Sequence, residues 1–341
     1  MITLMYQPPN SIEDVQAMVQ TAIDLEFATL PPYLYAKMTV LPGTNAEALE
    51  RIDMVVGQEM IHLCLACNIM NAIGGTVAIN PPTYPHALPG SVAGGAVIHL
   101  YRFSPAAMRQ GMIIEEPDEP LNPPGEPPVV PQITTGEVTI GQYYALLDYH
   151  LSQLDPGAWS AHRNQVWDNQ FFAGQLFEVN SYPDAHRAIS QIVSEGEGTP
   201  VNPASTGSPL DFRNELAHFY RFEEVFRNQV LTKDPNNPAN PTGYRWGEPL
   251  GVDWSATYPA IDDPETFDFS GEPPAVRAAQ AACDVAYRAM VDNLRQTFQG
   301  AEGGLGRAIR AMFDLRMAAI QALNTPLSNG TQVSGPTFIY R

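Results

Sequence analysis

The sequence predicts an all-α fold, a four-helix bundle with a long crossover, proline-rich loops and extra C-terminal helices. Three observations lead there. Long stretches carry apolar residues at helical spacing, carboxylates and imidazoles interrupt the middle of those apolar stripes, and a Pro- and Gly-rich middle has the length of a crossover connection.

The first helix should start at Asn10 or Ser11, either of which can cap it, with Glu13 and Asp14 at the positive end of its dipole. Val19, Ala22, Ile23, Leu30 and Tyr33 form its apolar face, and Glu26 stands at the centre of that face. The helix runs towards Val40 through Pro31-Pro32, which either bends it one turn after Glu26 or ends it. Pro42-Gly43-Thr44-Asn45 is a short turn, so the second helix should return antiparallel to the first.

That second helix, Ala46 to Ile73, buries Ile52, Val55, Val56, Leu63, Ala66 and Met70, with Glu59 and His62 set in the stripe. Residues three apart project from one side of a helix. An unpaired charged Glu on a core face costs several kcal/mol or takes up a proton, on the order of what a partner must offset. A metal ion is one such partner; a buried Glu–His hydrogen bond is the plainer one. Gly74-Gly75 closes the helix.

From Thr76 to Thr135 the chain is a long connection, with a short helix expected at Pro105 to Ile114 and an exposed proline-rich loop from Pro120 to Pro131. The third bundle helix is Thr139 to Leu154, and a further helix covers Asp184 to Glu195. Leu210 to Val230 is expected to be one helix that repeats the spacing as Glu215-x-x-His218, flanked by Phe212, Phe222 and Val225. A loop dense in Pro, Asn and Trp follows, Lys233 to Asp268, then helices Pro274 to Phe298 and Leu305 to Leu323. We read residues 1–341 as one domain, with the bundle at about 10–230 and a C-terminal helical extension at about 270–325.

Three helices thus place carboxylates, two of them with a histidine, in core-facing stripes, which is the ligand pattern of a two-metal carboxylate bundle. Such donors suit iron or manganese, with zinc an alternative. A fourth carboxylate is not fixed by the sequence. Gln142 stands where a Glu is wanted, and His150 faces the core two turns on. Glu197 shares a face with His186, Ile189 and Val193, or forms a solvated helix end with Glu195. Glu178 and Glu115 are outsiders.

Bulk properties narrow the function. With 18 Lys and Arg against 37 Asp and Glu, the net charge is −19. That balance disfavours nucleic acid and anionic membrane as partners. Three cysteines exclude a disulfide framework. Cys64 and Cys67 share a C-x-x-C spacing inside a helix rather than at its N-terminus, so they read as packing residues. No signal peptide or spanning segment is evident, and a reducing cytoplasm is the expected location. A small-molecule substrate is the expected partner, with a homo-oligomer left open.

With these residues laid out, the chain resembles the ferritin-like domain family of iminophenyl-pyruvate dimer synthases, which includes the violacein-pathway enzyme and stand-alone bacterial relatives. The likeness rests on Leu25-Glu26-Phe27-Ala28-Thr29-Leu30-Pro31-Pro32-Tyr33-Leu34-Tyr35, on Gln58-Glu59-Met60-Ile61-His62 and on Asn71-Ala72-Ile73-Gly74-Gly75. Shorter matches are Thr139-Ile140-Gly141, Gly196-Glu197-Gly198-Thr199, His218-Phe219-Tyr220-Arg221-Phe222 and Gly335-Pro336-Thr337-Phe338. The resemblance implies a ferritin-like bundle with two irons held by Glu26, Glu59, His62, Glu197 and His218, and Glu215 as a further ligand or the group that orients His218. It implies an oxygen- or peroxide-dependent oxidoreductase acting on an aromatic imino or keto acid. Tyr33, Tyr143, Tyr144 and Phe219 would line the substrate pocket and Arg221 would meet its carboxylate, or the aromatics simply pack the core. Gln142 departs from the family pattern, which has Glu there, and suggests the alternative of a metal-binding or structural protein without turnover.

Overall fold

The computed structural model describes residues 2–91, 95–116, 136–168, 170–172, 174–197, 210–211, 213–234 and 244–341. A short strand, β1 (Thr3–Tyr6), leads into α1 (Ile12–Met38). Ser11 caps α1 through a capping box: its hydroxyl accepts from the Asp14 N–H at 3.2 Å, and the Asp14 carboxylate accepts from the Ser11 N–H at 3.1 Å. The helix passes through Pro31-Pro32 without ending. Pro32 cannot donate to the Ala28 carbonyl four residues back; the buried Tyr84 hydroxyl donates to it instead, at 2.6 Å.

α2 (Ala46–Ala72) returns antiparallel to α1 and ends on Gly74 at φ +76°, a left-handed conformation suited to glycine. The Gly74 N–H reaches the Asn71 carbonyl and the Gly75 N–H the Met70 carbonyl, the double closure that terminates many helices. By length and composition α2 passes for a membrane span, contrary to the expectation that no stretch does. Most of it is buried against other helices, and Glu59 and His62 sit midway along it.

Beyond the α1–α2 hairpin come β2 (His86–Ala87), β3 (Val97–Ile98) and α3 (Pro105–Ile114), the last capped by Ser104 with Pro105 in its first turn. β4 (Gly136–Thr139) pairs antiparallel with β1, Thr3 opposite Thr139, and delivers the chain to α4 (Ile140–Ser152). α5 (Tyr182–Glu197) packs on α4, and this pair lies against α1 and α2 to complete a four-helix bundle. α6 (His218–Arg227) packs on α3, and the two cover one side of the bundle.

The last helix of the bundle region is shorter than the sequence suggests. Asp211 accepts the N–H groups of Arg213 and Glu215, and Leu210 bridges to Leu216, so the chain before His218 is a turn rather than a helix. Strand β5 (Gln229–Lys233) begins where the helix was expected to end and pairs antiparallel with β6 (Tyr244–Pro249), which lies in the stretch expected to be loop. α7 (Pro274–Phe298) and α8 (Gly304–Leu323) form a second antiparallel pair that packs mostly on itself and touches α1 and α2 along a narrow seam.

One close approach sets the α3–α6 crossing. A side chain at Gly111 would put its Cβ 2.8 Å from the Phe222 ring. The two backbones therefore come together only because Gly111 has none. Glu115 lies one turn beyond Gly111 and His218 one turn before Phe222, so this contact fixes where both side chains point.

Candidate metal centre

Glu26 from α1, Glu59 and His62 from α2, Glu195 from α5 and His218 from α6 are all buried, and Glu115 at the end of α3 is nearly so. The two imidazoles stack at 5.4 Å between ring centroids. His62 turns Nδ1 towards Glu26 Oε2 at 3.5 Å and Glu59 Oε1 at 3.7 Å. His218 turns Nδ1 towards the same Glu59 oxygen at 2.8 Å and towards Glu115 Oε2 at 3.5 Å. Glu59 is thus shared, with one outer carboxylate on each side.

Each histidine is held from behind at Nε2. Glu195 Oε2 lies 2.8 Å from His62 Nε2, and Arg213 in turn donates to Glu195 Oε1 at 2.5 Å. Gln58 Oε1 lies 3.1 Å from His218 Nε2. The outer carboxylates are held too. The Tyr144 hydroxyl donates to Glu26 Oε1 and the Tyr33 hydroxyl donates to Glu115 Oε1 at 2.5 Å, while Thr29 donates to Glu59 Oε2 at 2.7 Å.

Burying this much charge shifts its titration. Burial raises Glu26 to about 7, helped by the charge of Glu59 and only partly offset by His62. Burial would raise Glu59 too, but the facing imidazoles of His218 and His62 outweigh it and hold that carboxyl well below its usual range. Burial would lower both imidazoles; the facing carboxylates win, and His62 is raised well above its ordinary value, with His218 raised to about 9. In the protein's own charges the cluster is a set of anions that gathers positive charge at both Nδ1 positions.

The donor set fits metal ions. One ligand atom each from Glu59, His62 and His218 lie within 4.8 Å of one another. His218 Nδ1 is buried and, although 2.8 Å from a Glu59 oxygen, makes no hydrogen bond of acceptable geometry. A buried nitrogen aimed into a carboxylate cluster but satisfied by none of them is what a metal ligand looks like. Beside the cluster lies a cavity of about 50 Å³, walled by Leu25, Leu88, Ile114, Ile140, Ile192 and Val193.

A sequence model of the ferritin-like family matches residues 19–227, which span every residue of this cluster. The chain belongs to the ferritin-like family. A crystal structure of a ferritin-like protein from Caulobacter vibrioides is similar over 96% of this chain and 99% of that one, at 21% identity and a TM-score of 0.65. At that identity the likeness is one of fold. Comparison with curated proteins gives no match.

Of the site residues expected from the sequence, this ferritin-like domain brings Glu26, Glu59, His62 and His218 together. Glu215 is not among them: it lies outside the helix, 43% exposed, with its carboxylate 3.6 Å from Arg221 and 4.0 Å from Arg213. The Glu-x-x-His spacing has no helical meaning there, because α6 begins at His218 itself. The Glu197 side chain lies outside the described residues. Gln142 completes a capping box with Thr139 at the start of α4, and His150 pairs with the Tyr6 hydroxyl at 2.8 Å. Glu178 faces the exposed His162.

The expected substrate-pocket residues are otherwise engaged. Tyr33 and Tyr144 hold carboxylates of the cluster, Tyr143 donates to the Met18 carbonyl at 3.0 Å, and Arg221 lies against Met54 and Glu215. Two residues that sequence reasoning set aside are central. Glu115 continues the stripe of Met108 and Gly111 on α3, and Glu195 continues that of Ala188 and Ile192 on α5. Both stand in line with buried apolar residues, as Glu26 does, but at or near helix ends, where that pattern does not separate a buried carboxylate from a solvated one.

Proposed function

We propose that this ferritin-like chain holds two metal ions, irons, and is an oxidoreductase acting on a small organic substrate. The observation that carries the reading is the facing pair of imidazoles, each aiming Nδ1 at the shared Glu59 and each held at Nε2 by a different side chain. Glu26 and His62 would hold one ion, Glu115 and His218 the other, with Glu59 between them. Manganese or zinc would be accepted by the same donors, but hard carboxylates with two imidazoles favour iron. Bound iron would supply the electrons for reducing dioxygen or peroxide.

The protein's own part is positioning. Tyr144, Tyr33 and Thr29 hold the carboxylates by their second oxygens, so each presents the other oxygen inward. Glu195, anchored by Arg213, holds the His62 ring with its Nδ1 inward. The aliphatic walls make the space beside the cluster largely apolar, and their cavity of about 50 Å³ suits a molecule of the size of dioxygen.

We take the organic substrate to be an aromatic imino or keto acid, a reading supported by the sequence resemblance to iminophenyl-pyruvate dimer synthases. We also assign the chain to a reducing cytoplasm, in keeping with three buried free thiols. Metal analysis of freshly purified protein tests the first step, with two irons per chain expected. Oxygen uptake by iron-loaded protein with aromatic imino acids tests the second; no consumption of either reactant overturns the activity. The small cavity and the engaged tyrosine hydroxyls favour one other reading, a metal-holding protein without turnover, which predicts bound metal and no oxygen uptake.

A further inference from the structure

The seam between the two helical pairs opens into a groove of about 650 Å³, between the tip of the α1–α2 hairpin and α8. Its walls are mostly aliphatic and methionine side chains, including Leu34, Met38, Val56, Ile309 and Met312. Further in, a small apolar cavity of about 40 Å³ shares Leu34, Met60, Met290, Ile309 and Met312 with the groove. Three of these five dividing side chains are methionines, which re-pack at small cost. Neither space shares a residue with the cavity beside the metal cluster. On the outer lip, Phe313 and Met317 of α8 are 58% and 64% exposed, so the apolar surface continues to solvent.

The rim carries charge of one sign in excess. Lys37 lines the groove in an ion pair with Asp53, and the exposed Arg316 lines it with no ion pair among the described residues. That is a net positive rim on a chain of net charge −19. Volume decides what fits. A helix is about 10–12 Å across, so a partner helix would use up 650 Å³ in roughly one to one and a half turns. Small-ligand sites run to roughly 300–1,000 Å³, apolar with a few placed polar groups.

We propose that this groove binds a long-chain fatty acid, its alkyl tail lying between α1–α2 and α8 and its carboxylate at the rim with Arg316 and Lys37. The methionines shared with the inner cavity give way to the end of a longer tail. The site is independent of the metal cluster and of any chemistry there.

Titration of the full chain with the fluorescent fatty acid cis-parinaric acid tests this. Saturable one-to-one binding is expected, with palmitate displacing the probe at least tenfold better than hexadecanol. Arg316→Glu should remove that preference, and Met312→Trp should abolish binding while leaving the helical circular dichroism intact. Should Met312→Trp not fold, the exposed Arg316→Glu variant still carries the test. Binding that does not saturate, or equal displacement by palmitate and hexadecanol, would overturn the proposal. So would a stable dimer dissociated by Met317→Asp, which would assign the face to a second copy of the chain.

Discussion

The two histidines of the cluster are backed by unlike groups, and the difference predicts unequal metal positions. The Glu195 carboxyl group, 1% exposed, lies behind His62 at 2.8 Å; the amide of Gln58 lies behind His218 at 3.1 Å. A carboxylate at Nε2 makes an imidazole a stronger donor at Nδ1, and losing such a partner costs about 10–100-fold in metal affinity. At about 1.4 kcal/mol per tenfold, that is about 1.4–2.8 kcal/mol. Wild-type protein should therefore bind cobalt(II) in two steps, the His62 side filling first. Glu195→Gln keeps the shape and an acceptor oxygen and removes only the charge, while Arg213 retains Asp211 at 3.3 Å. It should weaken the first step by about 10–100-fold and bring the two steps together. Gln58→Glu should tighten the second. Competitive titration against a chelator, followed by cobalt absorption, reads both steps. Equal weakening of both steps by Glu195→Gln, or none, would refute the argument; no cobalt binding at all would refute the metal centre instead.

The other predictions address packing, titration and thiol chemistry. Gly111→Ala drives a Cβ into the Phe222 ring, so it should destabilise the fold by about 1–3 kcal/mol in chemical denaturation and weaken metal binding by parting Glu115 from His218. Tyr84→Phe leaves the Ala28 carbonyl beside Pro32 unsatisfied, at a cost of about 1–3 kcal/mol by the same measurement. In metal-free protein the pKa of His218 is raised from 6.5 to about 9, so its contribution to stability is complete below about pH 6.5 and lost as pH rises through about 9. Glu26, raised from 4.5 to about 7, acts in the same direction at lower pH. The melting temperature in chelator should accordingly fall between pH 6.5 and 9.5. Metal affinity should rise over the same interval, because protons no longer compete for Nδ1. Burial raises the thiol of Cys64 to about 12 and that of Cys67 well above its ordinary value, so neither should react with a thiol reagent until the protein unfolds.

What the sequence showed of this site follows from how far its signals reach. An apolar stripe is a property of one helix, so Glu26, Glu59 and His62, each deep in a long helix, stand out as carboxylate or imidazole where carbon is expected. His218 was reached by a spacing to Glu215 that has no structural basis, since the turn built by Asp211 ends just before it. Glu115 and Glu195 lie at or near helix ends, where solvent is the default expectation and where only the neighbouring helix can bury them. That burial depends on how α3 crosses α6, and the crossing depends on one missing Cβ at Gly111 meeting Phe222 across more than a hundred residues. No periodicity carries such information. Gln142 is the opposite case, because Thr139-x-x-Gln142 ahead of an apolar helix already spells a capping box, and the structure has both of its hydrogen bonds. A polar residue in the first turn of a helix is therefore better weighed as a cap before it is weighed as a lost ligand. On that reasoning Gln142 has no bearing on whether the cluster turns over: the proposed ligands come from α1, α2, α6 and the end of α3, while α4 supplies Tyr144 behind Glu26 and Ile140 to the cavity wall.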